Sequence, residues 1–303
     1  MIHFIILKIF YFNIRMIEFY ILGDMGSGER SQYTVSNALK EHMGNKSSTF
    51  VCGLGDNIYE DGCTSINDEQ FITKFEKPYS NIPDKIKFYM CIGNHDYGRY
   101  SCGKGNSIYQ IKYGKRSKKQ GKKWIMPNNY YSFRKRSKGV IVDFFVLDTN
   151  SFNLNEKGMK EQQKEMSQKI NQSNAHWKIV YGHHPWRSIA GHGNAEEELE
   201  RFFKDLYSES PFDLYMCGHD HNKQFIRMNI LNKELPLIVC GTGGKVYEDM
   251  NFLDCLDENS SLEFISNNLG FAFIRAYKTK LDITFLNDKN IKEYNFKVDK
   301  KKI

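Results

Sequence analysis

Short apolar runs that stop at glycine recur along the whole chain, and they limit the fold more than any other feature. "EFYILGD", "TFVCGLGD" and "KFYMCIGNHD" come first, and "WKIVYGHHP", "FDLYMCGHDH" and "LPLIVCGTGG" follow, with "GVIVDFFVLDTN" between the two sets stopping at an aspartate instead. Polar stretches with helical spacing separate several of them: "SQYTVSNALKEHM", "NDEQFITKFEKPY", "KGMKEQQKEMSQKINQS" and "AEEELERFFKDLY". An unbroken apolar run of about five to eight residues suits a strand covered on both faces, and alternation with helices predicts an α/β layer of largely parallel strands. The final "LGFAFIRAYKTKLDITFLN" alternates as a half-exposed antiparallel pair does. No repeat or linker interrupts the pattern, so residues 16–303 read as one domain.

In open α/β sheets, ligands gather beyond the carboxyl ends of the strands. Asp24, Asp56, Asn94, His183 and the pair His219 and His221 each follow an apolar run directly. "GLGDNIY" alone would be an ordinary turn covered by a tyrosine, but such polar clusters repeat at run after run. Oxygen and imidazole donors together suit transition metals of intermediate hardness. The set is large enough for two ions, with Asp56 able to bridge them at the roughly 3.5–4 Å used in two-metal phosphoryl-transfer sites.

Composition sets outer bounds. With 303 residues, 40% hydrophobic and 14% aromatic, the chain can build a sizeable core. The net charge of +7 is concentrated: Lys112 to Lys123 holds seven Lys or Arg and no acid, "FRKRSK" adds four, and the remainder is near neutral. The stretch 112–123 reads as a solvated basic loop near the pocket rim, or as an attractor for phosphoproteins, nucleotides or polyphosphate, or a nuclear-type signal. No specific nucleic-acid partner is expected. Cys52, Cys63, Cys91, Cys102, Cys217, Cys240 and Cys255 include no CxxC pair, and most read as buried reduced thiols. Residues 1–15 form an apolar appendage, either a signal anchor or an unused upstream start; Lys8 and Arg15 break any spanning run. "GTGGK" at 241–245 lacks the spacing of a phosphate loop and reads as a strand end near the site.

The ordered blocks "GDMG", "GDNIY", "GNHD", "VYGH" and "GHDH" resemble the calcineurin-like metallophosphoesterase signature in its purple acid phosphatase form, the small tartrate-resistant type above all. The similarity extends through "HPWRSIAGHG", "MCGHDHNKQF" and "LGFAFI", from about Ile17 to Phe285. The resemblance implies a four-layer sandwich: two mixed β-sheets packed together and flanked by α-helices. It implies a ferric ion at Asp24, Asp56, Tyr59 and His221, and Fe(II), Zn or Mn at Asp56, Asn94, His183 and His219. It implies hydrolysis of phosphate monoesters, small or protein-borne, by a metal-bound hydroxide, with His95 and His192 contacting phosphate or donating a proton and Asp96 orienting His95. A phosphodiesterase or phosphoprotein phosphatase activity on the same metals is the alternative, followed by a catalytically silent scaffold.

The sequence departs from the family at several points. His184 stands where the relatives commonly have Tyr, Gly191 replaces an acid before His192, and Trp186 is displaced by one position. His183 is preferred over His184 as ligand because it fits VxxH, which leaves His184 to line the pocket. The long loop after "LDTN" and its disulfide have no counterpart here, so activation by cleavage of that loop is not expected. A monomer is expected, and the compartment stays open between cytosol and export.

Overall fold

The computed structural model describes residues 15–46, 48–98, 106–151, 155–247 and 256–300. Residues 1–14, Cys102 and Cys255 lie outside them, so the readings of the N-terminal appendage and of those two thiols do too. Two seven-stranded mixed sheets pack face to face with helices outside.

The first sheet grows from β1 (Ile17–Leu22), whose run IEFYIL is buried almost throughout. β1 pairs in parallel with β2 (Val51–Gly53), which continues to β3 (Phe88–Met90) and β4 (Trp124–Ile125). On its other edge β1 runs antiparallel to β12 (Gly270–Ala276), then β13 (Lys280–Asn287) and β14 (Lys292–Asp299). The second sheet has parallel strands β6 (Val140–Val146), β7 (Trp177–Tyr181), β8 (Leu214–Cys217) and β10 (Lys233–Cys240). Antiparallel β5 (Tyr131–Ser137) lies at one edge, and β9 (Lys223–Ile230) with β11 (Ser260–Ser266) at the other. In the second sheet the parallel strands are central and antiparallel strands close both edges; in the first, the parallel strands run from β1 to the edge strand β4, and antiparallel strands form the other side.

Helices cover the outer faces where their apolar stripes dictate. On α1 (Arg30–Met43), Val35, Ala38, Leu39 and Met43 fall on one buried stripe. α4 (Glu156–Asn171) starts where the Asn155 side chain accepts the Gly158 N–H, and α5 (Glu197–Glu209) buries Leu199, Phe202, Phe203 and Leu206. Between the sheets, Phe19 meets Phe144 edge-on at 5.1 Å in a layer shared with Ile21, Cys52, Val146, Ile179 and Met216. Each such fully buried side chain contributes roughly 1.5–3 kcal/mol. Cys52, Cys63, Cys91, Cys217 and Cys240 are free and buried.

Three sequence expectations change. The strand pair read as half-exposed alternates only in β13, since β12 is buried at every position but Arg275. "NDEQFITKFEKPY" contains only a short helical segment with a π-helical core, Ile72–Glu76, ahead of Pro78. The basic stretch is not a loop: most of it lies in α3 (Ser107–Lys119), following the single-turn α2 (Asn94–Tyr97). Burial of Ile111 and Tyr113, with Tyr113 stacked on Phe71 at 3.9 Å, fixes this helix despite its exposed lysines. No helix among the described residues is long and apolar enough to cross a membrane.

Candidate metal centre

The carboxyl ends of both sets of parallel strands meet along one edge. There the Gly23 N–H donates to the Cys240 carbonyl at 2.9 Å, and the His219 N–H to Asp24 Oδ2 at 2.9 Å, tying β1 of one sheet to β8 and β10 of the other. Asp24, Asp56 and His219 all carry positive φ, of 57°, 49° and 70°. Each costs about 1–3 kcal/mol outside glycine and persists where surrounding contacts over-determine it.

One group of donors forms around Tyr59. Its hydroxyl lies 3.0 Å from Asp24 Oδ1 and 3.0 Å from His221 Nε2, which is itself 3.5 Å from Asp24 Oδ1. A second group forms around Asn94. Its Oδ1 is 2.9 Å from His183 Nε2 and 3.1 Å from His219 Nδ1, and those nitrogens are 3.1 Å apart. Asp56 stands between the groups: its Oδ1 is 3.4 Å from His183 Nε2, and Asp24, Asp56 and His183 offer ligand atoms within 4.8 Å of one another.

The donor chemistry fits cations. His183 Nδ1 donates to the Leu54 carbonyl at 2.8 Å, so in the neutral ring Nε2 carries only a lone pair. That lone pair, the Asn94 oxygen and the His219 nitrogen then converge with too few protons to share, unless a cation takes their place. Without one, burial works against a charged His183, but Asp56 and then Asp24 outweigh it and push its pKa up to about 10. Burial would likewise raise the Asp56 carboxyl, yet His183 and His95 hold it well below the usual range. His219 is pushed down by burial and by the neighbouring His184 and His183. Burial, then Asp24 and Asp56, hold the Tyr59 phenol well above its ordinary pKa. A hard cation beside it reverses that balance, because it stabilises the phenolate the carboxylates oppose.

His184 differs from His183 in tautomer. Thr149 Oγ1 accepts the backbone N–H groups of His183 and His184 at 3.1 and 3.0 Å, so its own proton goes to His184 Nδ1 at 2.9 Å. The other His184 nitrogen is then an N–H donor. Burial, and His183 next to it, push the His184 pKa down to about 3, so the ring is neutral. His184 lies close enough to His183 and His219 to complete a three-imidazole group, but its proton suits an anion acceptor better than a metal. Gly55 makes room for His183: a Cβ there would lie 2.5 Å from His183 Nδ1, at φ +88°.

His95 and His192 flank the centre. The His95 Nδ1–H donates to the Glu60 carbonyl at 2.6 Å, and its Nε2 is 3.9 Å from Asp56 Oδ2. His192 is exposed and its ring centroid is 4.1 Å from that of His219. Asp96 does not orient His95. Its carboxylate accepts the N–H groups of Asn57, Ile58 and Gly93 and the Gln110 amide, so it holds the Asp56 loop. Burial, and the Asp56 charge, raise its pKa to about 6.

Three neighbours were given no role by the sequence. Asp220 accepts the Ser188 hydroxyl, the His192 N–H at 3.1 Å and the Tyr247 hydroxyl at 3.1 Å, and Tyr247 stacks on His221 at 5.0 Å. Lys245 places its ammonium 3.9 Å from the Tyr59 ring centroid. Asp220 was recoverable from its place between two candidate ligands in "GHDH", and Lys245 closes the "GTGGK" segment read as a strand end near the site, though nothing local set it over Tyr59; Tyr247 carried no local signal.

Two mixed sheets in an α/β sandwich, with carboxylates and imidazoles gathered on one edge, define a metallophosphoesterase. The chain belongs to the calcineurin-like phosphoesterase family, whose model matches residues 17–223, and within it to the purple acid phosphatases. It is 32% identical over 264 residues to tartrate-resistant acid phosphatase type 5 of Homo sapiens, covering 78% of this chain and 75% of that one. It is 27% identical over 290 residues to purple acid phosphatase 3 of Arabidopsis thaliana, covering 89% and 74%. Among solved structures, GAP50, the anchor in the inner membrane complex of Plasmodium, superposes with a TM-score of 0.78 at 23% identity over 95% of this chain and 90% of that one. The purple acid phosphatase PPD1 of yellow lupin gives 0.72 at 15% identity, over 95% and 54%. These likenesses show the fold, and family membership brings a dinuclear metal centre.

Proposed function

We propose that this protein is a dinuclear-metal acid phosphatase that hydrolyses phosphate monoesters. The carrying observation is the convergence of Asp24, Tyr59 and His221 on one side of Asp56, and of Asn94, His183 and His219 on the other. The first group, with a phenolate and a carboxylate, suits a ferric ion; the second, with an amide oxygen and two imidazoles, suits Fe(II), Zn or Mn. When bound, such a pair supplies Lewis acidity to phosphoryl oxygens and lowers the pKa of water. The chain's own residues do the rest. The His184 N–H donates to a phosphoryl oxygen, and His95, oriented by the Glu60 carbonyl, presents Nε2 to the same pocket. His192, on the exposed side, protonates the departing alcohol oxygen.

The test is hydrolysis of p-nitrophenyl phosphate across pH by protein loaded with iron and a divalent metal, alongside Asp56→Asn. Turnover in the acid range that the variant loses supports the reading. Turnover on bis(p-nitrophenyl) phosphate and none on the monoester would replace it with a phosphodiesterase, and no turnover on either would leave a silent scaffold.

A further inference from the structure

The loop after β10 brings a lysine onto the face of Tyr59. Its path is tightly fixed: the Gly243 N–H donates to the Gly23 carbonyl at 3.0 Å, and the Ser31 hydroxyl to the Gly244 carbonyl at 2.5 Å. A Cβ on Gly244 would lie 2.8 Å from the Met25 carbonyl oxygen, so the loop packs directly against the segment that carries Asp24. Its next residue is Lys245. The ammonium stands 3.9 Å from the Tyr59 ring centroid and 2.6 Å from Glu60 Oε1. Glu60 is also tied to His95, whose Nδ1 is 3.6 Å from Glu60 Oε2 as well as bonded to the Glu60 carbonyl.

We propose that Lys245 is a positioning residue that sets the donor strength of Tyr59 through the face of its ring, with Glu60 as the opposing charge. This rests on the reading of Tyr59 as the phenolate donor to a ferric ion. A cation over an aromatic face is attracted to its electrons, and the attraction grows when the ring is a phenolate. It stabilises the filled ring orbitals that donate to iron, so charge transfer takes more energy and the ion receives less electron density. The ion is then a stronger Lewis acid and easier to reduce. Glu60 works in the other direction by offsetting part of the lysine charge. The pair therefore tunes the ferric site from outside the ligand set.

Lys245 is only partly buried, so its replacement leaves the core intact. The experiment records the position of the visible charge-transfer band, and the ferric reduction potential, in iron-loaded wild type, Lys245→Met, Lys245→Arg and Glu60→Gln. Band position does not depend on how much of the protein is loaded. The expected results are a shift to longer wavelength and a more negative potential for Lys245→Met, the opposite shifts for Glu60→Gln, and near-wild-type values for Lys245→Arg. A coloured wild type with an unmoved band in Lys245→Met overturns this inference alone, as does a shift of the same sign in Lys245→Met and Glu60→Gln. A wild type with no visible band overturns it together with the ferric-tyrosinate reading.

Discussion

The Tyr59 hydroxyl sits 3.0 Å from Asp24 Oδ1, with burial and two carboxylates opposing its ionisation. A phenol in such surroundings ionises only beside a strong cation, so its state reports on the metal. Tyr59→Phe is expected to abolish the visible band of the iron-loaded protein and to lower iron retention on dialysis. A full band in the variant would assign the colour to another residue.

Asp220 touches neither metal nor substrate in the proposed arrangement, yet three donors converge on it from the segments carrying Ser188, His192 and Tyr247. Asp220→Asn keeps the shape and removes the charge that holds those donors. The expected outcome is a fall in kcat of about 10- to 100-fold, the usual cost of losing such a supporting contact, with KM nearly unchanged and stability lowered by about 1–3 kcal/mol, because Ser188 Oγ already accepts from Ala190 and Gln224 and leaves the new amide donor unpaired. A loss of stability with kcat unchanged would instead make Asp220 a structural residue.

The Thr149 bond leaves the other His184 nitrogen an N–H donor, on a ring that stands beside His183 and His219. His184→Phe removes that donor, and a hydrogen bond to a charged group contributes about 1.5–3 kcal/mol, so kcat/KM should fall about 10- to 150-fold. His184→Tyr supplies a hydroxyl donor and should recover part of the loss. Equal kinetics in wild type and His184→Phe would remove His184 from the phosphate site.

Arg187 forms a fork to Glu200, at 2.5 and 2.9 Å, and reaches Asp257 at 3.0 Å. Burial would raise the Glu200 carboxyl, but Arg187 and then Lys204 outweigh it and hold its pKa below the ordinary value. A depressed folded-state pKa gives stability that is complete above the unfolded value of about 4.3 and is lost as pH falls through the folded one. Glu200→Gln should therefore cost about 1 kcal/mol at neutral pH, below the usual contribution of a charged hydrogen bond because solvent reaches Glu200 and screens the pair. The gap from wild type should narrow below pH 4, as read by urea unfolding at several pH values. A gap that stays constant with pH would show that packing, not charge, carries the effect.

Much of the molecule was legible in the chain because its signals are local. An apolar run such as IEFYIL buries on both faces wherever it is placed, and a polar residue just after it falls at the strand's carboxyl end. That made the layers and the ligand candidates readable in order. Segments whose burial depends on a distant partner were not readable. The 112–123 stretch became helix because Tyr113 finds Phe71, and Asp96 serves the Asp56 loop rather than its sequence neighbour His95. The Asp24 carboxylate meets the His219 N–H across 195 residues, and Lys245 meets Tyr59 across two strand ends. Periodicity and glycine stops thus determined strands, helices and the kinds of donors. Which donors face each other, which histidine carries a free lone pair and which lysine lies over the tyrosine were decided by tertiary packing, because they depend on distances between segments that no local pattern encodes.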